Sequence, residues 1–245
     1  MTGVAWYDVK VKGGLRDFII ILHPPYTVWH LAYVLIGAAL APVMNWATLG
    51  WTVLSFFLGM GIGGHCLDEI NGRPLKTQVP TWLLWYYASV AIAGAVAIGV
   101  LIGVRETVWV IPCIIFGGFI VFAYNMEWGP KGFFHRDEWF GFAWGAFPVI
   151  TAYIAQAHTV TPTIILVAAA CLLYSMTQRI LSTQARFWRR KVCRVDGLYV
   201  LYPDPVVGRP RKLQKEDIFG PADRALKYMT WTVVVGAIGL LIRNI

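Results

Sequence analysis

The chain has 245 residues, of which 58% are hydrophobic and only 14% are charged. A soluble domain carries about 25% charged residues, so this composition excludes an ordinary soluble protein and indicates a membrane protein. The 21 Lys and Arg outnumber the 13 Asp and Glu, which gives a net charge of +8. This charge does not indicate nucleic-acid binding, because no basic segment accompanies a base-reading motif, and it fits attraction to anionic membrane lipids instead.

Apolar runs predict seven membrane spans, since about 20 apolar residues can cross the hydrocarbon core. We therefore expect an all-α, polytopic transmembrane bundle that forms one membrane domain over residues 1–245. Residues 1–22 are expected to lie on the interface, 23–190 to form a six-span core, 191–222 a cytoplasmic loop and 223–245 the last span. The predicted spans are Tyr26–Met44, Ala47–Gly64, Trp82–Gly103, Val108–Phe122, Trp139–Ile154, Ile164–Thr177 and Leu226–Ile242.

The distribution of positive charge predicts the orientation. In the seven-span arrangement, 19 of the 21 Lys and Arg fall on one side and only Arg105 and Arg243 on the other. Loops rich in Lys and Arg stay in the cytoplasm, so this asymmetry predicts a cytoplasmic N-terminus in the cell (plasma) membrane. The four Cys show no paired spacing of the CxxC type, so neither a zinc site nor disulfides are expected.

Glycine and proline residues mark two loops and one irregular span. They predict a loop over Asp68–Pro80 and a longer one over Cys193–Pro221. In the fifth span, Gly145 and Pro148 indicate either close helix packing or a kink that lines a cavity.

A titratable cluster ends the second span. After an apolar run with no charged residue, the chain reads His65-Cys66-Leu67-Asp68-Glu69. His65 lies three residues from Asp68 and four from Glu69, so all three can share one helix face. Carboxylates at the edge of hydrocarbon are costly and often mark a functional site. A helix that simply ends in water would account for the same residues.

A second polar cluster, His135-Arg136-Asp137-Glu138, follows the fourth span, which ends in Tyr124-Asn125. The predicted topology places both clusters on the cytoplasmic side. Arg179 and Arg186 follow the sixth span on that side. They either bind a polyanion or form a basic stop that only fixes the topology.

The order of these features over Phe18–Arg190 resembles the UbiA-type intramembrane prenyltransferase superfamily. The acidic motif after that family's second helix coincides with the cluster at His65. The other similar fragments are Leu22-His23-Pro24-Pro25 with Val34-Leu35-Ile36-Gly37-Ala38, Arg73-Pro74-Leu75, Tyr124-Asn125, and Trp144-Gly145-Ala146-Phe147-Pro148-Val149.

This resemblance implies metal-assisted prenyl transfer from an isoprenyl diphosphate to a lipophilic acceptor. Ionisation of an allylic diphosphate leaves an allyl cation, which aromatic rings stabilise, and a pyrophosphate anion, which Mg²⁺ and cationic side chains stabilise. The implied metal ligands are Asp68 and Glu69. The implied catalytic residues are His65, Asp68, His135 and Asp137. The implied substrate-binding residues are Arg73, Lys76, Tyr124, Asn125, Arg179 and Arg186.

The chain also departs from the family's motifs. Only Asp68 remains of the three aspartates in the first motif, and Thr177–Arg186, where the second motif would lie, contains no carboxylate. These departures support an alternative function: a non-catalytic bundle that binds a prenyl lipid, quinone or pigment, as a subunit of a larger membrane complex. A third interpretation is a bis-His haem between His30 and His65, whose predicted heights in the membrane are compatible.

Overall fold

The structure is a computed structural model that describes residues 14–200 and 210–245. Its helices are α1 (Gly14–Ile21), α2 (Pro24–Ala39), α3 (Trp46–Ile70), α4 (Thr81–Arg105), α5 (Val108–Asn125), α6 (Asp137–Ala157), α7 (Pro162–Arg190) and α8 (Lys215–Ile242). The strands are β1 (Leu198–Tyr199) and β2 (Arg211–Lys212). Residues 1–13 of the predicted interfacial segment and residues 201–209 of the predicted cytoplasmic loop lie outside the described residues.

The described part of the chain is almost wholly helical, which confirms the all-α prediction. The strands β1 and β2 form only a two-residue antiparallel pair. Six helices, α3 to α8, are long and apolar enough to cross a membrane. The chain therefore has the character of a multi-pass membrane protein, with six candidate spans in its described part where the sequence predicted seven.

The difference lies in α2, which covers the first predicted span. Pro24 and Pro25 occupy its first turn, where proline is tolerated because those N–H groups have no partner in the helix. The helix ends at Ala39 and not at Met44, since Pro42 cannot continue it. Its 16 residues extend about 24 Å, less than the roughly 30 Å of a hydrocarbon core.

α2 is a central helix of the bundle. It packs against both α8 and the second half of α6. The contact with α6 is very close, because a Cβ atom added to Gly37 would overlap the backbone carbonyl of Val149. This packing buries His30 and Tyr33 inside the protein.

The loop before the last span is shorter than predicted. α8 begins at Lys215, so Pro221 lies inside the helix and not in the loop. A capping box explains the early start, since the backbone N–H of Gln214 donates to the Asp217 carboxylate at 2.9 Å. α7 continues to Arg190, beyond the end of the sixth predicted span at Thr177.

Two helices contain π-helical turns, which accommodate an extra residue per turn. They lie at Phe57–Gly64 in α3 and Phe142–Ala146 in α6. In the second turn, a Cβ added to Gly145 would lie 2.8 Å from the carbonyl oxygen of Cys171 on α7. The close helix packing expected at Gly145 is therefore confirmed.

Contacts between loops define the two ends of the bundle. At one end, Arg190 donates to the carbonyl of Pro74, and the Asp17 carboxylate accepts from the backbone N–H of Gln78. We call this the basic end. At the other end, the Gln156 amide pairs with the backbone of Asn45. The loops that the charge asymmetry assigns to one side of the membrane thus meet at one end of the fold.

Candidate functional site

An apolar cavity lies between α3, α4, α5 and α6. It contains about 850 Å³ of empty space, part of which opens to the surroundings of the helices. Its wall is formed mainly by hydrocarbon and aromatic side chains, including Met60, Ile92, Val121, Trp144 and Phe147. Such a wall offers dispersion contacts to an apolar ligand and few polar partners.

Both π-helical turns contribute to the wall. Met60 comes from the turn in α3, and Ala143 and Trp144 come from the turn in α6. π-helical turns are rare in proteins and occur frequently at functional sites. Their position beside the cavity marks it as the candidate site of this chain.

An aromatic layer closes the cavity toward the basic end. Tyr124 packs against Trp144 with ring centroids 4.6 Å apart, and Phe140 stacks on Trp144 at 6.2 Å. Met60 and Ile120 belong to the same buried cluster. The layer separates the apolar cavity from the polar side chains beyond it.

Those side chains form what we call the polar layer. It consists of Asp68, Tyr124, His135, Asp137, Arg179 and Arg186. The imidazole of His135 lies 4.6 Å from the ring of Tyr124, and its Nδ1 donates to the Tyr124 carbonyl at 2.9 Å. Arg179 donates to the Asp137 carboxylate at 3.0 Å and lies 5.2 Å from the centre of the Phe140 ring. The predicted clusters from α3, α5, α6 and α7 therefore meet at the end of the cavity.

Asp68 differs from Asp137, the other acid of this layer. It makes no hydrogen bond or ion pair of its own with the part of the chain that the structure describes. His135, Arg186, Glu69 and Arg179 lie within electrostatic range of its half-buried carboxylate. An unpaired carboxylate among cations is available to a ligand.

Two further polar atoms in this region are buried. Nδ1 of His30 donates to the Trp144 carbonyl at 2.7 Å, so Nε2 is left as an acceptor in the neutral ring. Within residues 14–200 and 210–245, neither this Nε2 nor the hydroxyl of Tyr124 has a hydrogen-bond partner. Both rings lie about 6 Å from Phe140, at 6.3 and 6.1 Å between centroids.

His23 lies at the same end, in the left-handed backbone conformation just before α2. Its ring is 5.2 Å from that of His65. Burial, together with the charges of His65, Arg186 and Arg190, lowers the pKa of His23 well below its usual range. The neutral imidazole is thus the stable form in the folded protein.

Glu69 does not face the polar layer. It is fully buried, and one carboxylate oxygen accepts from the backbone N–H and the hydroxyl of Thr77, at 2.9 and 2.8 Å. The other oxygen accepts from the backbone N–H of Leu75 at 2.9 Å. Glu69 therefore anchors the loop at residues 71–80.

Three other predicted site residues belong to this loop or hold it. Arg73 donates to the Val79 carbonyl at 2.6 Å and to the Thr81 hydroxyl at 2.7 Å. Lys76 is exposed on the loop. The side-chain amide of Asn125 donates to the Val121 carbonyl one turn earlier in α5, and the backbone carbonyl of Asn125 accepts from the Asn71 side chain. These residues connect the loop to α5 and lie apart from the cavity wall.

The donor set does not fit the predicted Mg²⁺ site. Both oxygens of Glu69 are engaged by the loop, so Asp68 is the one carboxylate left from the predicted pair. In the described ranges, no group of three or more His, Cys, Asp or Glu is placed to hold a metal ion. Two arginines, Arg179 and Arg186, also lie within electrostatic range of Asp68, and their positive charge disfavours a metal ion there.

A second, smaller cleft lies between α2, α7 and α8 and shares no lining residue with the cavity. Arg186 lines this cleft together with Gln178 and Ser182. Among the described residues, the guanidinium of Arg186 donates to Ser182 and Thr183 of its own helix, at 3.3 Å each. Sequence spacing could not reveal the position of Gln178 in this cleft, because its neighbours come from distant helices.

No family model, curated protein or solved structure matches the chain. The resemblance to the UbiA-type superfamily therefore rests on the sequence fragments given above. The fold and the site define a multi-pass helical bundle whose apolar cavity ends at a polar layer.

Proposed function

We propose that the protein binds a prenyl lipid, with the hydrocarbon chain in the cavity and the head group in the polar layer. One observation carries this proposal: the apolar cavity ends at Tyr124 and Trp144, and the charged side chains begin directly beyond them. An amphiphile with one long apolar chain and one polar end matches that division. The UbiA-like sequence fragments support a prenyl chain as the apolar part.

The hydrocarbon chain of the ligand is favoured by packing against the cavity wall. A prenyl chain enters this cavity from lipid that is equally apolar, so the gain comes from dispersion contacts with the wall and not from transfer out of water. Phe147, Trp144 and Met60 present aromatic and sulfur-containing surfaces to this chain. Such surfaces pack well against branched, unsaturated hydrocarbon.

The head group is favoured by charge and hydrogen bonding. Arg179 can turn its guanidinium from the half-exposed Asp137 to a phosphate, because the two make a single short contact. The hydroxyl of Tyr124 and Nε2 of His30 add a donor and an acceptor that lack protein partners among the described residues. Binding of a head group would satisfy these buried atoms, which otherwise cost free energy.

Prenyl transfer is the second candidate function, and Asp68 is the observation that favours it. In such a reaction the C–O bond of an allylic diphosphate breaks and the diphosphate leaves with the electron pair. The acceptor then bonds to the allyl carbon, and its proton passes to a base. Asp68 is the carboxylate of the polar layer without a partner in the described chain, so it is the base we assign to this step.

The test is direct binding of radiolabelled isoprenyl diphosphates to the detergent-purified protein in EDTA. We expect saturable binding without a divalent metal. Arg179→Gln should weaken binding of the diphosphate about tenfold, since a charge-assisted hydrogen bond contributes about 1.5 kcal/mol, and should leave binding of the prenyl alcohol unchanged. Equal loss for both ligands would contradict the placement of the head group.

A matched pair of variants tests the cavity. Gly118 lines the cavity and Gly236 does not, while a Cβ added to either meets no atom within 4 Å. We expect Gly118→Leu to lose affinity for long prenyl chains more than for short ones, and Gly236→Leu to behave as wild type. Turnover of an allylic diphosphate with an added acceptor, abolished in Asp68→Asn, would favour prenyl transfer over binding alone.

We also propose that the N-terminus lies in the cytoplasm and that the protein resides in the plasma membrane. The concentration of Lys and Arg at the basic end supports this orientation. Cys193 provides the test, because it lies in the loop at that end and is exposed, while Cys66 and Cys171 are buried. A membrane-impermeant maleimide should label Cys193 only after cell lysis, and labelling of intact cells would reverse the orientation.

A further inference from the structure

One face of α8 is exposed along its whole length. It carries Arg224 and Lys227 nearest the basic end, then Tyr228 and Trp231, which are 68% and 51% exposed. Exposed apolar residues continue this face toward the other end of the helix; they are Val235, Ile238 and Ile242. We call it the lipid face of α8.

The spacing of these residues explains why they share a face. Arg224, Lys227, Tyr228 and Trp231 lie three, four and seven residues apart, which is the period of a helix. The opposite face packs into the protein through Ala222, Leu226, Thr230, Val233 and Ala237. The lipid face therefore has no packing partner among the described helices.

The two cations on this face have no acidic partner in the described chain. The nearest acid in sequence, Asp223, is held by two hydrogen bonds from Arg189, at 2.9 and 3.0 Å. Arg189 and Asp223 are themselves largely buried, so this pair locks α7 to α8 and is not available to the surface. The positive charge of Arg224 and Lys227 is left for a partner outside the protein.

We propose that the lipid face of α8 is a binding site for an anionic phospholipid. Its phosphate lies beside Arg224 and Lys227, Tyr228 and Trp231 lie at the level of the glycerol backbone, and an acyl chain follows Val235 and Ile238. The order of cation, aromatic ring and aliphatic side chain along the helix matches the order of layers in one leaflet. From Arg224 to Trp231 the helix rises about 10 Å, enough to cross a head-group region of roughly 5–8 Å and reach the edge of the hydrocarbon core.

A membrane lipid fits this face better than a protein partner does. The apolar part continues without a polar rim to the far end of α8, as expected of a surface in contact with acyl chains. The site is separate from the cavity, since none of its residues lines it. Failure of this proposal would leave the proposed function untouched.

The test is native mass spectrometry of the purified protein with added phosphatidylglycerol or phosphatidylcholine of identical acyl chains. We expect wild-type protein to retain phosphatidylglycerol preferentially at low salt. Arg224→Gln/Lys227→Gln should reduce its affinity about fivefold for each cation removed, and should leave the affinity for phosphatidylcholine unchanged.

Lys131→Gln/Lys212→Gln is the matched control, because it removes two exposed cations elsewhere in the chain. It should retain the preference of the wild type. Equal retention of the two lipids by wild type, or equal loss in both double variants, would overturn the proposal. Loss of a co-purifying protein from Arg224→Gln/Lys227→Gln, with unchanged lipid retention, would overturn it in favour of a protein partner.

Discussion

The substitution Glu69→Gln distinguishes two roles for Glu69: an anchor for the loop at residues 71–80, or a ligand to a metal ion. The substitution keeps the size of the side chain but replaces one carboxylate oxygen by an NH₂ group. The amide oxygen can still accept from the two donors of Thr77, which lie at 2.9 and 2.8 Å. The NH₂ group then faces the backbone N–H of Leu75, which is also a donor. One charge-assisted hydrogen bond is lost and a buried donor is left without a partner.

The expected cost is about 2 kcal/mol, because hydrogen bonds to charged groups contribute about 1.5–3 kcal/mol. For a chain of this size, that loss corresponds to a fall in melting temperature of about 4–8 °C. The assay is thermal unfolding in detergent, together with limited proteolysis of the loop at residues 71–80. Glu127→Gln is the control, since Glu127 is exposed and should change stability by less than about 0.5 kcal/mol.

EDTA provides the decisive comparison. If Glu69 anchors the loop, EDTA leaves the melting temperature of the wild type unchanged and Glu69→Gln is less stable in either buffer. If EDTA destabilises the wild type to the level of Glu69→Gln and does not affect the variant, Glu69 is a metal ligand and the anchor interpretation is refuted.

Two further predictions concern stability. Gly37→Ala should destabilise the protein by about 1–3 kcal/mol, because the new Cβ overlaps the Val149 carbonyl. Gly236→Ala is the control: its Cβ meets no atom within 4 Å, so it should be neutral or slightly stabilising. Equal melting temperatures for these two variants would contradict the close packing of α2 on α6. His23 should make stability depend on pH: its pKa is lower in the folded protein than in the unfolded chain, so its contribution is present above about pH 6.5 and is lost as the pH falls below that value. His23→Asn is the variant to compare, because asparagine suits the left-handed backbone. Between about pH 7.5 and pH 5.5 it should lose less stability than the wild type, with a difference of at most about 1.4 kcal/mol per pH unit. Parallel pH profiles of stability for the two proteins would contradict the burial of a neutral His23.

The membrane helices could be predicted from the sequence because long apolar runs have few alternatives to crossing the bilayer. The first run has the composition of a span, but Pro42 ends α2 early, so this helix is shorter than the six candidate spans. The close contact at Gly37 places it in the centre of the bundle. The start of α8 was also missed, because Pro221 indicates a loop more strongly than the capping box at Gln214 indicates a helix.

The polar layer was predicted in part. The order of the spans predicts that Asp137 and Arg179 lie on the same side of the membrane. In the structure their side chains are in contact, at 3.0 Å. The role of Glu69 could not be predicted, because its donors lie six and eight residues later in a loop with no regular period. The contact of His30 with Trp144 joins residues 114 positions apart, and only the packing of α2 against α6 reveals it.

The most direct measurement is photocrosslinking with a diazirine-bearing isoprenyl diphosphate, followed by mass spectrometry of the labelled peptides. A prenyl chain bound in the cavity should label residues of α3, α5 and α6 that line it, such as Met60, Val121 and Phe147. An excess of unlabelled ligand should suppress this labelling, and Gly118→Leu should reduce it. Labelling confined to outward-facing residues such as Trp82, Val104 or Ile115, and unaffected by competitor, would contradict binding in the cavity.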